Sequence, residues 1–178
     1  HGDFPEKDYL DWQIADKSIQ DLKKLKKQEK PFFLAVGFIR PHLPFVVPQK
    51  YWDMYDEKKL LLSPIPDLPD GCSKLGFHNS DEFNGYLLGE EKASLNQRVS
   101  DAYARKLRHA YYACISYVDA QVGKLLDVLR DTGEFDNTII VLWGDHGWHL
   151  GDHRIWGKQT LYETALSSAL IIKAPMMK

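Results

Sequence analysis

The sequence predicts an α/β fold in which a mainly parallel sheet is flanked by helices. Three observations point there. Residues 32–38 (FFLAVGF) form an unbroken apolar run, residues 97–131 carry a long helical pattern, and residues 138–143 (TIIVLW) form a second apolar run. A strand that is apolar on both faces belongs to a parallel sheet covered by helices. Strand, helix and strand in this order make a right-handed crossover unit.

Each element has its own justification. Over residues 8–29, Trp12, Ala15, Ile19 and Leu22 recur at three- and four-residue steps, giving one apolar stripe on a helix. Lys23, Lys24, Lys26 and Lys27 cluster near its carboxyl end, where cations suit the helix dipole. Pro31 stops that helix, and the apolar run follows as a strand. Residues 39–48 (IRPHLPFVVP) hold three prolines, so they form a stiff loop leaving the strand's carboxyl end. From residue 49 to about 96 no period emerges, and Pro64, Pro66, Pro69, Asp70 and Gly71 mark turns. Long connections tend to be functional surfaces, so this stretch is expected to shape the rim of a pocket.

In the second helix, Leu107, Tyr111, Cys114, Val118, Val122, Leu125 and Leu129 keep the apolar period, and Gly133 is placed to end it. Residues 138–143 are rich in β-branched side chains, as strands are. Residues 170–172 supply a third strand.

A chain of 178 residues can bury a sizeable core. Its apolar content of 44% and charged content of 27% are those of an ordinary globular protein. A net charge of −2 offers no footprint for nucleic acid or an anionic membrane surface, and both partner classes are disfavoured. No apolar run approaches the roughly 20 residues that span a bilayer. Cys72 and Cys114 make no disulfide framework; they read as a loop thiol and a buried helix thiol. The chain opens on His1 and ends just after an apolar segment, which suits a fragment of something longer.

Open parallel sheets bind ligands beyond the carboxyl ends of their strands. Two segments leave such ends here. One delivers His42; the other delivers Asp145 and His146 between Gly144 and Gly147. Neighbouring strand residues point to opposite faces, so both side chains reach one ion only if the backbone turns sharply, which flanking glycines permit. A carboxylate oxygen and an imidazole nitrogen then make half of a divalent-metal site. The same tetrapeptide also suits a turn in which Asp145 caps the backbone and His146 is a bystander. His149 and His153 extend the cluster and raise a histidine-rich zinc site as a competitor, although Gly147 and Gly151 oppose a helix that would align them. Lys158 follows nearby; a lone lysine is ordinarily a solvated surface group.

Three blocks in order, PFFLAVGFIRPHLPF, SYVDAQVGKLLDVL and TIIVLWGDHGWHLGDHRIWGKQT, resemble the sulfatase family of the alkaline-phosphatase superfamily. The nearest branch is that of iduronate-2-sulfatase and its bacterial relatives. The resemblance implies an alkaline-phosphatase-like fold, with residues 1–178 forming a partial catalytic domain. It implies that Asp145 and His146 ligate a calcium ion and that His42 and Lys158 contact the sulfate, one of them protonating the leaving oxygen. It also places Trp148 and His149 at the substrate pocket. Calcium prefers all-oxygen shells, so the choice of metal rests on the resemblance and not on the ligands.

The family nucleophile is a formylglycine made within Cys/Ser-x-Pro-x-Arg. Neither Cys72 (CSKLG) nor Cys114 (CISYV) has that context. The nucleophile and an early aspartate pair of metal ligands are expected upstream, so the chain alone should lack turnover, bind calcium weakly and associate with its own amino-terminal part. The implied activity is sulfuric ester hydrolysis on a sulfated sugar such as a glycosaminoglycan, in an exported location. The alternatives are a phosphodiesterase or phosphonate hydrolase of the same superfamily, or a non-catalytic metal- or carbohydrate-binding relative.

Overall fold

The apolar stripe near the amino terminus folds as α1 (Leu10–Lys26) in the computed structural model, which describes residues 2–28, 30–86 and 90–175. Ala15, Ser18 and Leu22 are buried along one face, together with Asp11. The expected carboxyl-terminal residue Glu29 lies outside the described residues. Asp11 is buried because its carboxylate accepts hydrogen bonds from the backbone N–H groups of Ile39 (2.6 Å) and Arg40 (3.3 Å). An ionised carboxylate leaves water only when such donors replace it.

The chain divides into two compact units. The first comprises His1–Tyr55, Ala110–Ile140 and Ile172–Lys178, and the second comprises Asp56–His109 and Val141–Ile171.

The core of the first unit is Val47, Tyr51, Ala113, Cys114 and Tyr117, with Tyr9, Phe45, Tyr55 and Ala120 packed against it. Tyr51 sits on the single turn α2 (Gln49–Trp52). Glu6 ties this unit together. Burial would raise its pKa, but hydrogen bonds from Lys50, Gln121, Lys124 and Tyr51 outweigh it and hold the carboxyl at about 2.

The second unit contains the irregular stretch. It is less irregular than its sequence suggests, with 3-10 turns at Glu57–Lys59 and Lys74–Gly76 and the short helix α3 (Asp81–Gly85). The long helix α4 (Asp101–Asp131) then begins four residues later than expected. Ser100 sets the start: its Oγ accepts from the N–H of Tyr103 at 3.2 Å, an N-cap bond. At the other end Gly133 adopts φ 72 and lets Glu134 N–H reach Leu129 O at 2.8 Å, closing the helix as predicted.

The strands depart most from expectation. The run 138–143 yields β1 (Ile140–Trp143), whose exposure alternates instead of being covered on both faces; Trp143 is 68% exposed. The antiparallel pair β2 (His149–Leu150) and β3 (Trp156–Gly157) follows, joined in the register His149 to Gly157 and Leu150 to Trp156. After the single turn α5 (Glu163–Leu166), β4 (Leu170–Lys173) pairs with β1. Residues 32–38 form no strand: among the described residues they have no ladder partner, and Phe33 is 90% exposed. Their burial still alternates residue by residue, the signature of a strand face. A strand is defined by the bonds it makes with a neighbour, and apolar content alone does not supply one.

Candidate functional site

The Asp-His turn occupies the second unit between β1 and β2. Gly144 N–H bonds to Ala169 O (2.9 Å), Ser168 Oγ donates to Gly144 O (2.8 Å), and Gly147 N–H bonds to Ala165 O (2.8 Å). These bonds pin both ends of the turn to the segment around α5. A Cβ at position 147 would run into the carbonyl oxygens of Thr164 and Ser167, so only glycine fits against that backbone.

Within the turn the two side chains converge. Asp145 Oδ1 accepts from His146 N–H at 3.1 Å, and Asp145 Oδ2 stands 3.4 Å from His146 Nε2. His146 Nδ1 lies 2.7 Å from Gly147 O. A carbonyl oxygen only accepts, so Nδ1 donates to Gly147 O, and Nε2 is the ring nitrogen turned to the Asp145 carboxylate. Asp145 is 86% exposed and open to solvent. The pair therefore fits a divalent cation in kind, with one anionic oxygen and one imidazole nitrogen. Among the described residues, no group of three or more metal-ligating side chains comes together. The histidine-only zinc arrangement is not assembled: His149 bonds to Thr160 Oγ1 through Nε2 (2.8 Å), and His153 bonds to Asp67 O through Nδ1 (3.0 Å).

The β2–β3 register explains a second convergence. Because His149 pairs with Gly157, the residues just outside the ladder, Trp148 and Lys158, face each other across the ribbon. The Lys158 ammonium lies 5.4 Å from the centre of the Trp148 ring and 3.0 Å from Glu82 Oε1. Its side chain is 17% exposed, so it is not the solvated surface lysine that its sequence context suggested. Trp148 is buried, and its ring face favours a cation.

His149 is wholly buried, and burial lowers its pKa to about 4, so the imidazole is neutral. Its contact with Thr160 links it to a surface depression lined by Leu75, Phe77, Thr160, Leu161 and Tyr162. Leu75, Gly76 and Phe77 of the 74–77 turn lie along this depression.

His42 belongs to the first unit. Its N–H bonds to Ile39 O (2.9 Å), its carbonyl accepts from Arg40 Nη1 (2.8 Å), and its Nδ1 lies 2.9 Å from Leu43 O. The peptide bonds before Pro41 and Pro44 are cis. Leu43 O only accepts, so Nδ1 donates to it, and Nε2 is the ring's other nitrogen.

Sequence reasoning missed Glu82, Ser80 and Thr160. Glu82 and Ser80 lie in a stretch without periodicity, and their partners are distant in sequence, so no local pattern marks them.

The chain has an α/β fold of the alkaline-phosphatase-like class, present in part. The phosphonate monoester hydrolase from Silicibacter pomeroyi overlays on it with a TM-score of 0.79 at 30% identity, covering 98% of this chain and 34% of that one. The sulfatase family model matches residues 2–177, and the chain belongs to the sulfatase family. It is 36% identical over 178 residues to human iduronate 2-sulfatase, covering 97% of the chain and 32% of the relative. It is likewise 36% identical over 183 residues to a sulfatase of Formosa agariphila, covering 98% of the chain and 33% of the relative. The chain spans about a third of the length of these curated relatives. Among the described residues no helix is long and apolar enough to cross a membrane.

Proposed function

We propose that the protein containing this chain hydrolyses a sulfate ester on a sulfated sugar such as a glycosaminoglycan, and that residues 1–178 form the carboxyl-side part of its catalytic half. The observation that carries the reading is the Gly144–Gly147 turn, which presents a carboxylate oxygen and an imidazole nitrogen 3.4 Å apart within a chain of the sulfatase family. Asp145 and His146 would hold a divalent ion, calcium by family resemblance. When bound, such an ion neutralises charge on the sulfuryl oxygens, and a formylglycine elsewhere in the protein supplies the nucleophile.

The chain's own residues have definable tasks. Lys158 offers an ammonium, held by Glu82 and the Trp148 face, to an anionic sulfuryl or leaving oxygen. His42 binds the ester through Nε2 or, as imidazolium, gives a proton to the departing oxygen. Trp148 forms a wall behind Lys158, and His149 supports Thr160 at the neighbouring depression. An exported location is proposed on the same family grounds.

The experiment is turnover by the full-length protein of 4-nitrophenyl sulfate, a sulfated disaccharide and a phenyl phosphonate monoester. Preferred release of sulfate, lost on Asp145→Asn and on chelation, is the expected result. Faster hydrolysis of the phosphonate would instead favour the second reading, which the overlay on a phosphonate monoester hydrolase keeps in play. Calcium-dependent sugar binding without release of sulfate or phosphonate would identify a non-catalytic relative.

A further inference from the structure

The segment from His78 to Phe83 grips β3 and the residue after it at successive positions. The His78 ring lies against Gly157 so closely that a Cβ there would stand 2.7 Å from its Cε1. Ser80 Oγ accepts from Trp156 N–H at 2.9 Å, and Phe83 stacks on the Trp156 ring with centroids 6.0 Å apart. Glu82 Oε1 accepts from Lys158 Nζ at 3.0 Å.

This segment is itself firmly held. Ser80 is buried in the left-handed conformation (φ 56), and His78 Nδ1 accepts its N–H at 2.9 Å. Asn84 completes the fixation through bonds to Asn79 O (2.8 Å), Ala93 O (2.9 Å) and Ala93 N–H (2.9 Å). The carboxylate of Glu82 is thus a fixed charge, only 25% exposed, aimed at an ammonium only 17% exposed. Pairs this sheltered are screened far less than surface pairs, and they constrain geometry.

We infer that Glu82 is a positioning residue for Lys158, fixing the ammonium between its own carboxylate and the Trp148 ring so that the charge is set before a sulfate ester arrives. The inference rests on the proposal that Lys158 acts on the sulfate. Glu82 touches no reacting atom; it acts through Lys158. Preorganised charge of this kind stabilises a transition state without reorganising during the reaction.

The test is a pair of double-mutant cycles in the full-length protein with 4-nitrophenyl sulfate as probe, using Glu82→Gln, Glu82→Asp, Lys158→Ala and each combination. Glu82→Gln, which removes the charge but keeps the shape, is expected to lower kcat about 10- to 100-fold with a smaller change in KM. Glu82→Asp keeps the charge but withdraws it by one methylene, with an expected loss of about 3- to 10-fold. In the Lys158→Ala background either change should cost less than about twofold, because the residue it acts through is gone. Losses that multiply undiminished in that background, or single variants within about twofold of the parent, would overturn the inference. Turnover unaffected by Lys158→Ala would instead sink the underlying assignment of Lys158. Should Glu82→Gln fail to fold, the aspartate cycle alone decides.

Discussion

Asp145 Oδ2 and His146 Nε2 stand 3.4 Å apart on adjacent residues, a convergence that a regular strand forbids and this turn achieves. The pair is expected to be half of a cation site. Asp145→Asn, which removes the anionic oxygen and keeps the shape, should weaken calcium binding to the full-length protein by at least about tenfold in a calorimetric titration. Unchanged affinity would assign the turn a purely structural role.

Gly147 admits no side chain, because the carbonyl oxygens of Thr164 and Ser167 occupy the space. Both are backbone atoms and cannot swing aside. Gly147→Ala is expected to destabilise the fold by about 1–3 kcal/mol and to weaken calcium binding with it. Equilibrium denaturation alongside the titration would separate the two effects, since Asp145→Asn should alter binding alone.

The buried His149 imposes a pH dependence on stability. Its folded pKa of about 4 lies below the ordinary value of 6.5, so protonation favours the unfolded chain. The stability of the neutral ring is full above about pH 6.5 and is lost progressively as pH falls towards 4. The depression corresponds to about 3 kcal/mol over that window. His149→Gln should flatten the denaturation midpoint between pH 6.5 and 4; an unaltered slope would show that the ring is not the titrating group.

The two cysteines, both free, should separate cleanly by reactivity. Burial raises the Cys114 thiol to about 12, and it is fully enclosed. Cys72 is only half-buried. A maleimide should modify Cys72 rapidly at neutral pH and leave Cys114 untouched until denaturant is added, as mass spectrometry of the peptides would reveal. Fast labelling of Cys114 would mean that α4 is not packed as described.

Helix periodicity was readable because its signal is local: the stripe along α1 and the glycine ending α4 need no knowledge of distant neighbours. The Asp145–His146 turn was readable for a similar reason, since its flanking glycines announce the sharp bend. Strand burial was not, because coverage of residues 32–38 and of β1 depends on what packs against them. Asp11 and Glu82 escaped notice for the same reason. Asp11 could have been a solvated helix residue, and only the distant N–H groups of Ile39 and Arg40 explain why it is buried. Glu82 reads as one acidic residue in an irregular tract until Lys158 is brought to it.

The short turn between β2 and β3 has a consequence for variation in this protein. Gly151 at φ 95 and Asp152, whose carboxylate receives Leu150 N–H and Ser63 Oγ, fix where the return strand begins. Side chains on a ribbon alternate sides at every step, so losing or gaining one residue between Gly151 and Ile155 would invert the outlook of everything after it. Loop length here works as a phase setting: the number of residues in the turn must hold for Lys158 to keep its place.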